Sequence, residues 1–276
     1  MDSFIAGFGE VMLRLAPAGK TRFAQALPGT LEATYGGGEA NVCASLAILG
    51  AKSRYLTALP QNPVSNAFAV QLRGLGVDVD RIRYTKGGRM GVYYAEHGAA
   101  QRGSNVVYDR EHSVISESAP EDYDFSGMLE NVGHLHISGI TPALSKKAFQ
   151  STLAIAEFAS GHGIRISCDL NFRKKLWNWE PGTAPKDLAK KCMEQIVAHA
   201  DLIIACVSKK GNAYIRVFED CVKNCHAIQG RDNEFKGAHY EIREVEFEKK
   251  NSSGESTGYE TREIEVEYSI WYKLVD

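Results

Sequence analysis

Between Val132 and Ile204 the chain alternates short apolar runs with amphipathic stretches, and this rhythm constrains the fold more than any other feature. His134–Ser138, Ile164–Leu170 and Leu202–Ile204 read as buried strands, and Ser145–Ser160 and Pro185–Ala198 carry helical spacing. Strands that alternate with helices of about 12 residues build a parallel sheet covered on both faces. Ser145 is placed to cap the first of these helices, and Gly161 with Gly163 to end it.

Upstream the pattern is looser. Phe4–Phe8 is an apolar run that ends at Gly9-Glu10 and fits a buried first strand. Met12–Ala16 and Leu31–Tyr35 alternate only in part and are expected to pair as edge strands. Glu39–Leu49 has helical spacing closed by Gly50, and Ser65–Leu75 is a second helix ending at Gly76. Ser53–Ala58, Met90–Ala95 and Asn105–Tyr108 read as strands. After Ile204 the rhythm stops. Tyr240–Glu248 and Tyr259–Tyr272 alternate charged and apolar residues around a Ser/Gly-rich turn at Asn251–Gly258, which predicts a two-stranded antiparallel ribbon. The expected division is an α/β domain over 1–204 and a divergent β-rich tail over 205–276.

A chain of 276 residues can bury one substantial core, or one domain with an appendix. Its formal net charge of −2 gives no electrostatic reason to expect nucleic acid or an anionic membrane as partner. No apolar run approaches the roughly 20 residues of a membrane span. The six cysteines are scattered, which fits reduced thiols and a cytoplasmic protein rather than a disulfide framework.

Several residues can carry chemistry. Gly36-Gly37-Gly38 precedes a helix, so backbone N–H groups are exposed and a ligand can come close, although a plain tight turn reads the same way. Asn41, one turn further in, adds an amide that can both donate to and accept from hydroxyl groups, or can serve as an internal polar residue. Arg110 and Arg173 follow aromatic residues in Tyr108-Asp-Arg110 and Asn171-Phe-Arg173, and a guanidinium offers a planar fork suited to a carboxylate or phosphate. Arg173 also follows a strand end, where ligands gather in parallel sheets. Asp169 and Asn171 share that strand end and can hold a metal, bind a hydroxyl or cap the next turn. His134 and His136 read as structural. Cys221, Cys225 and His226 are too few for a zinc site, and helical spacing alone accounts for the two cysteines.

Six segments, in order, resemble the ribokinase-like (PfkB) sugar kinases. They are Gly9-Glu10, Tyr35-Gly-Gly-Gly-Glu-Ala-Asn41, Gly91-Val-Tyr93, Tyr108-Asp-Arg110, Ser138-Gly-Ile-Thr-Pro-Ala143 and Asn171-Phe-Arg-Lys-Lys-Leu-Trp177. Within that family they look most like the 2-keto-3-deoxygluconate kinases, over about residues 3–204. The resemblance implies a three-layer α/β/α sandwich with a small β-sheet lid, its strands around residues 12–35 and 90–108. It implies that Gly37 and Asn41 bond sugar hydroxyls, that Tyr93 and Tyr108 cover the sugar from the lid, and that Ile140 lies against it. Arg110 and Arg173 would grip the substrate carboxylate. The implied substrate is a small acid sugar, 2-keto-3-deoxygluconate, phosphorylated at its terminal hydroxyl with ATP and Mg2+. A homo-oligomer formed through the lid is one arrangement the resemblance allows.

The family also carries a late Asp-x-x-Gly-Ala-Gly-Asp segment that supplies the general base and leads into an anion hole. Phosphoryl transfer needs such a carboxylate and a preorganised set of N–H donors. No such segment occurs after Ala205, where Gly230-Arg-Asp232 is the nearest match. Three expectations follow: a kinase with impaired transfer, a non-catalytic sugar-acid binding or interaction protein derived from a truncated or fused kinase, or another sugar kinase of fructokinase or ribokinase type. The arginine pair argues against the last, because a neutral sugar needs no carboxylate clamp.

Overall fold

The computed structural model describes residues 3–204, 240–250 and 256–267. Its first elements are β1 (Phe4–Phe8), β2 (Met12–Ala16), α1 (Phe23–Ala26), β3 (Glu32–Gly36), α2 (Gly38–Ile48), β4 (Ser53–Leu56), β5 (Ala58–Pro60) and α3 (Pro63–Gly74). Next come β6 (Val77–Asp78), β7 (Arg83–Thr85), β8 (Gly91–Glu96), β9 (Asn105–Asp109), α4 (Val114–Glu117) and α5 (Phe125–Met128). The regular part follows as β10 (Val132–Ser138), α6 (Lys146–Gly161), β11 (Arg165–Asp169), α7 (Pro185–Val197) and β12 (Leu202–Ile204).

The apolar runs assemble into a six-stranded sheet in the order β12-β11-β10-β1-β4-β6, parallel at every pairing. On one face, α6 and α7 bury Ile155, Ala156, Leu188, Met193 and Ile196 against Leu135, Ile137, Ile166 and Cys168. On the other, α2 and α3 place Ala40, Cys43, Phe68 and Leu72 against Tyr55 and Val77. This is the expected α/β/α sandwich. Ser145 caps α6, its Oγ accepting from the Ala148 N–H at 3.0 Å. Helix α3 begins two residues earlier than expected because Asn62 caps it through the Ser65 N–H, with Pro63 in the first turn.

A second sheet, β3-β2-β8-β9, forms the lid. Strands β2 and β3 do pair antiparallel, but only β3 is an edge, because β2 also pairs with β8 in parallel. The single strand expected at Ser53–Ala58 is two strands. The chain leaves the parallel sheet at Thr57, and β5 pairs instead with β7.

Beyond residue 239, β13 (Tyr240–Lys250) and β14 (Ser256–Glu267) pair antiparallel, as the alternation predicts. Ser256–Gly258, expected in the turn, belongs to β14. Residues 268–272, the expected boundary near 205, Cys221, Cys225, His226 and Asp232 lie outside the described residues. Cys43, Cys168 and Cys192 are buried, with no disulfide among the described residues. No helix among them is long and apolar enough to cross a membrane.

Candidate functional site

Strands β1, β10 and β11 run parallel, so their carboxyl ends open on one side, the side where such sheets receive ligands. Ser138 stands in register with Asp169, and the Gly139 N–H donates to the Asp169 carbonyl at 2.8 Å. The glycine loop reaches the same end of the sheet from the lid side, with Gly37 as the N-cap of α2.

Glu10, just past β1, is 3% exposed and occupies the junction of core and lid. Its carboxylate forms an ion pair with Arg110, itself 8% exposed, and accepts from Ser113 Oγ at 2.9 Å. Its backbone N–H donates to Thr141 Oγ1 at 3.3 Å, in the turn after β10. Two glycines pass too close for a side chain: a Cβ at Gly37 would lie 2.7 Å from the Glu10 carbonyl oxygen, and one at Gly91 would lie 3.0 Å from Glu10 Oε1.

The lid tyrosines meet as cross-strand partners. Tyr93 on β8 faces Tyr108 on β9, ring centroids 5.9 Å apart. The Tyr93 hydroxyl reaches the glycine loop, where a Cβ at Gly36 would lie 2.5 Å from it. The Arg110 guanidinium lies 5.6 Å from the Tyr108 ring centroid, within cation–π range. Tyr93, Tyr108 and Arg110 are thus linked ring to ring to guanidinium, and Gly37 joins them through Glu10.

Ile140 enters through a second buried acid. Glu39, in the first turn of α2, accepts from Ser138 Oγ at 2.5 Å, and Ser138 Oγ in turn accepts from the Ile140 N–H at 3.2 Å. Burial pushes the Glu39 carboxyl up to about 7, against the pull of the Ser138 hydrogen bond. Its Oε2 makes no hydrogen bond among the described residues.

Asn41 and Arg173 stand apart from this network. Asn41 is exposed on α2, its backbone N–H bonded to the Gly37 carbonyl at 3.0 Å. Arg173 is exposed in the loop after β11 and lies close enough to Asp169 to stabilise its charge. Burial nevertheless raises the Asp169 pKa, with the Asn171 N–H and Arg173 pulling the other way. The Asp169 side chain caps the turn, accepting from the Asn171 N–H at 3.1 Å. Among the described residues no group of three His, Cys, Asp or Glu could hold a metal ion, so Mg2+ finds no such ligand set there. His134 and His136 both bond Ser167 Oγ, at 2.8 and 2.9 Å. Burial pulls His136 down to about 4, consistent with structural roles for both rings.

Glu10 and Glu39 escaped the sequence reading. The available signal was a carboxylate in the wrong company. Glu39 opens an alanine-rich apolar helix, and Glu10 directly follows a buried strand.

The pfkB family carbohydrate kinase model matches residues 2–207. The 2-dehydro-3-deoxygalactonokinase of Haloferax volcanii is 32% identical over 205 residues, covering 74% of this chain and 61% of that protein. The crystal structure of 2-dehydro-3-deoxygluconokinase from Thermotoga maritima matches with a TM-score of 0.70 at 38% identity, over 81% of this chain and 69% of that one. An uncharacterized sugar kinase from Pyrococcus horikoshii, solved with ATP, shares the fold at a TM-score of 0.62 and 18% identity, over 72% of this chain and 62% of its own. The chain spans about three fifths of the length of the curated Haloferax relative.

Proposed function

Because the chain belongs to the pfkB family of carbohydrate kinases, we propose that its pocket binds an acid sugar of the 2-keto-3-deoxygluconate type. The observation that carries this reading is the buried Arg110 guanidinium, which lies against the lid residue Tyr108 and pairs with Glu10 just past β1. Glu10 already balances this charge, so the support for an acid sugar is the guanidinium's planar fork, whose geometry matches a carboxylate. Gly37 and the Asn41 amide bond sugar hydroxyls, Tyr93 and Tyr108 cover the ring face, and Ile140 packs from the Ser138-Gly139-Ile140 turn. Arg173 supplies the second cation from the loop after β11. The relatives' names include both a gluconate and a galactonate sugar, so the proposal extends to the acid-sugar class and takes 2-keto-3-deoxygluconate as its probe.

ATP with Mg2+, when bound, supplies the phosphoryl group and neutralises its charge. The residues after Ala205 carry no Asp-x-x-Gly-Ala-Gly-Asp segment to take the proton of the sugar hydroxyl. The chain on its own is therefore proposed to bind the acid sugar and to transfer phosphate poorly. One experiment separates the readings: ADP release with ATP, Mg2+ and 2-keto-3-deoxygluconate, run beside a melting curve with and without the sugar. A sugar-dependent rise in Tm with ADP release near the no-sugar control is expected. Rapid sugar-dependent ADP release would mean that the tail provides a base. The absence of both a shift and turnover would contradict the pocket itself.

A further inference from the structure

Four of the segments that resemble the family's motifs meet at one residue of a fifth, Glu10, to which the pocket proposed above gives no part. Glu10 bonds Thr141 beyond β10 through its N–H, pairs with Arg110 at the end of the lid, and is approached closely by Gly37 and Gly91. Its other oxygen accepts from Ser113, in the segment that returns the chain from lid to core. Glu10 itself lies in the short link between β1 of the core and β2 of the lid. Glu10 thus ties Arg110 directly to the end of β1.

We propose that Glu10 is a positioning residue that sets the pocket's preference for acid over neutral sugars by fixing the Arg110 guanidinium. This role rests on the acid-sugar reading above. An arginine side chain has several rotatable bonds, and a bidentate contact to a carboxylate requires the planar fork to be oriented beforehand. Glu10 binds Nη2, whereas Nε makes no hydrogen bond although it is buried. An unpaired buried N–H is costly, so the guanidinium is incompletely satisfied by Glu10 alone. Glu10 therefore holds the guanidinium through Nη2 and leaves part of the fork without a partner among the described residues. Ser113 fixes the Glu10 carboxylate in turn, and the absence of a side chain at Gly91 leaves room for it.

The alternative physical role has the opposite sign. If Glu10 only neutralised Arg110, removing its charge would strengthen the attraction for an acid sugar. Glu10→Gln decides between them, because it keeps the shape and an acceptor for Ser113 while losing the charge. Two readouts are needed. The first is calorimetric affinity for 2-keto-3-deoxygluconate and for fructose. The expected result is a fall of ~10-fold or more for the acid sugar, as misplacement of a binding group produces, with any fructose binding changed by less than ~2-fold. The second is the 15N NMR signal of the Arg110 Nε–H, identified by its loss in Arg110→Lys. It should be slowly exchanging in the wild type and broadened or lost in Glu10→Gln.

An unchanged or tighter acid-sugar affinity, or an unchanged Arg110 signal, overturns the proposal. An equal loss for both sugars makes Glu10 merely structural and also overturns it. If the wild type binds no acid sugar, the pocket reading fails and the specificity role fails with it. The NMR signal still decides whether Glu10 holds Arg110. Should Glu10→Gln not fold, Ser113→Ala removes one restraint on the carboxylate and should show smaller changes in the same directions.

Discussion

The parallel sheet and the lid are made of strands of similar length, yet they are held in different ways. In β10, Leu135 and Ile137 are fully buried, and helices cover the sheet on both faces. In β9 every residue is exposed, including Val107 at 54% and Tyr108 at 50%. The core gains its stability from apolar area removed from water, at about 25 cal/mol per Å2. The lid relies on its strand ladders and on a few polar anchors, among them Glu10–Arg110, Arg89–Asp109 and the Tyr35 hydroxyl on the Val64 carbonyl. The proposed pocket would join a buried wall to a cover whose residues are exposed. Substitutions in the core should therefore cost stability, and substitutions in the lid should cost affinity.

The sharpest way to break that contrast is Ile137→Ala. Its site is fully buried between sheet and helices, so a loss of about 2–5 kcal/mol is expected in urea unfolding. A loss below about 1 kcal/mol would mean that the core tolerates the cavity.

Glu39→Gln comes next and reads the buried junction through pH. The Glu39 carboxyl is raised from 4.5 to about 7, so the folded state keeps its proton over that interval while the unfolded state loses it. Wild-type stability should fall from this source as pH rises from about 4.5 to 7. The Gln variant avoids that loss, and its advantage should approach about 3 kcal/mol above pH 7 and vanish below about 4.5. Paired melts at pH 5 and pH 8 measure it, and a gap independent of pH would exclude Glu39 as its source.

On the lid side, Tyr108→Ala should weaken acid-sugar binding about tenfold, or about 1.4 kcal/mol, through loss of its cover and its contact with Arg110. Its unfolding midpoint should move little, and a large loss of stability would show that the lid is load-sharing with the core. Smallest of all, Val107→Thr on the same exposed strand should change unfolding free energy by less than about 0.5 kcal/mol.

The same contrast explains what was legible beforehand. Strands β10, β11 and β12 and helices α6 and α7 were readable because burial on both faces leaves apolar runs and helical spacing in the chain. The split at Thr57 was hidden because β4 and β5 are both fully buried and no glycine or proline separates them at Thr57. The interior position of β2 depends on β8, whose paired residues lie 79 positions further on, and no local pattern encodes it. At the site, Arg110 stood out because an arginine close behind a tyrosine has a recognisable chemistry. Its partner Glu10 could not, since a buried ion pair one hundred residues apart in sequence leaves no periodic trace. Glu39 was hidden for a related reason: its partner Ser138 lies on a neighbouring element, and its burial reflects the closeness of β1 and β10 to α2.

The central claim is that the described domain presents a pocket for an acid sugar, and isothermal titration of the purified chain with 2-keto-3-deoxygluconate against fructose tests it most directly. Saturable binding of the acid sugar at least tenfold tighter than fructose, lost in Arg110→Ala, is the predicted result. Equal affinity for the two sugars, or acid-sugar binding that survives without Arg110, would contradict it.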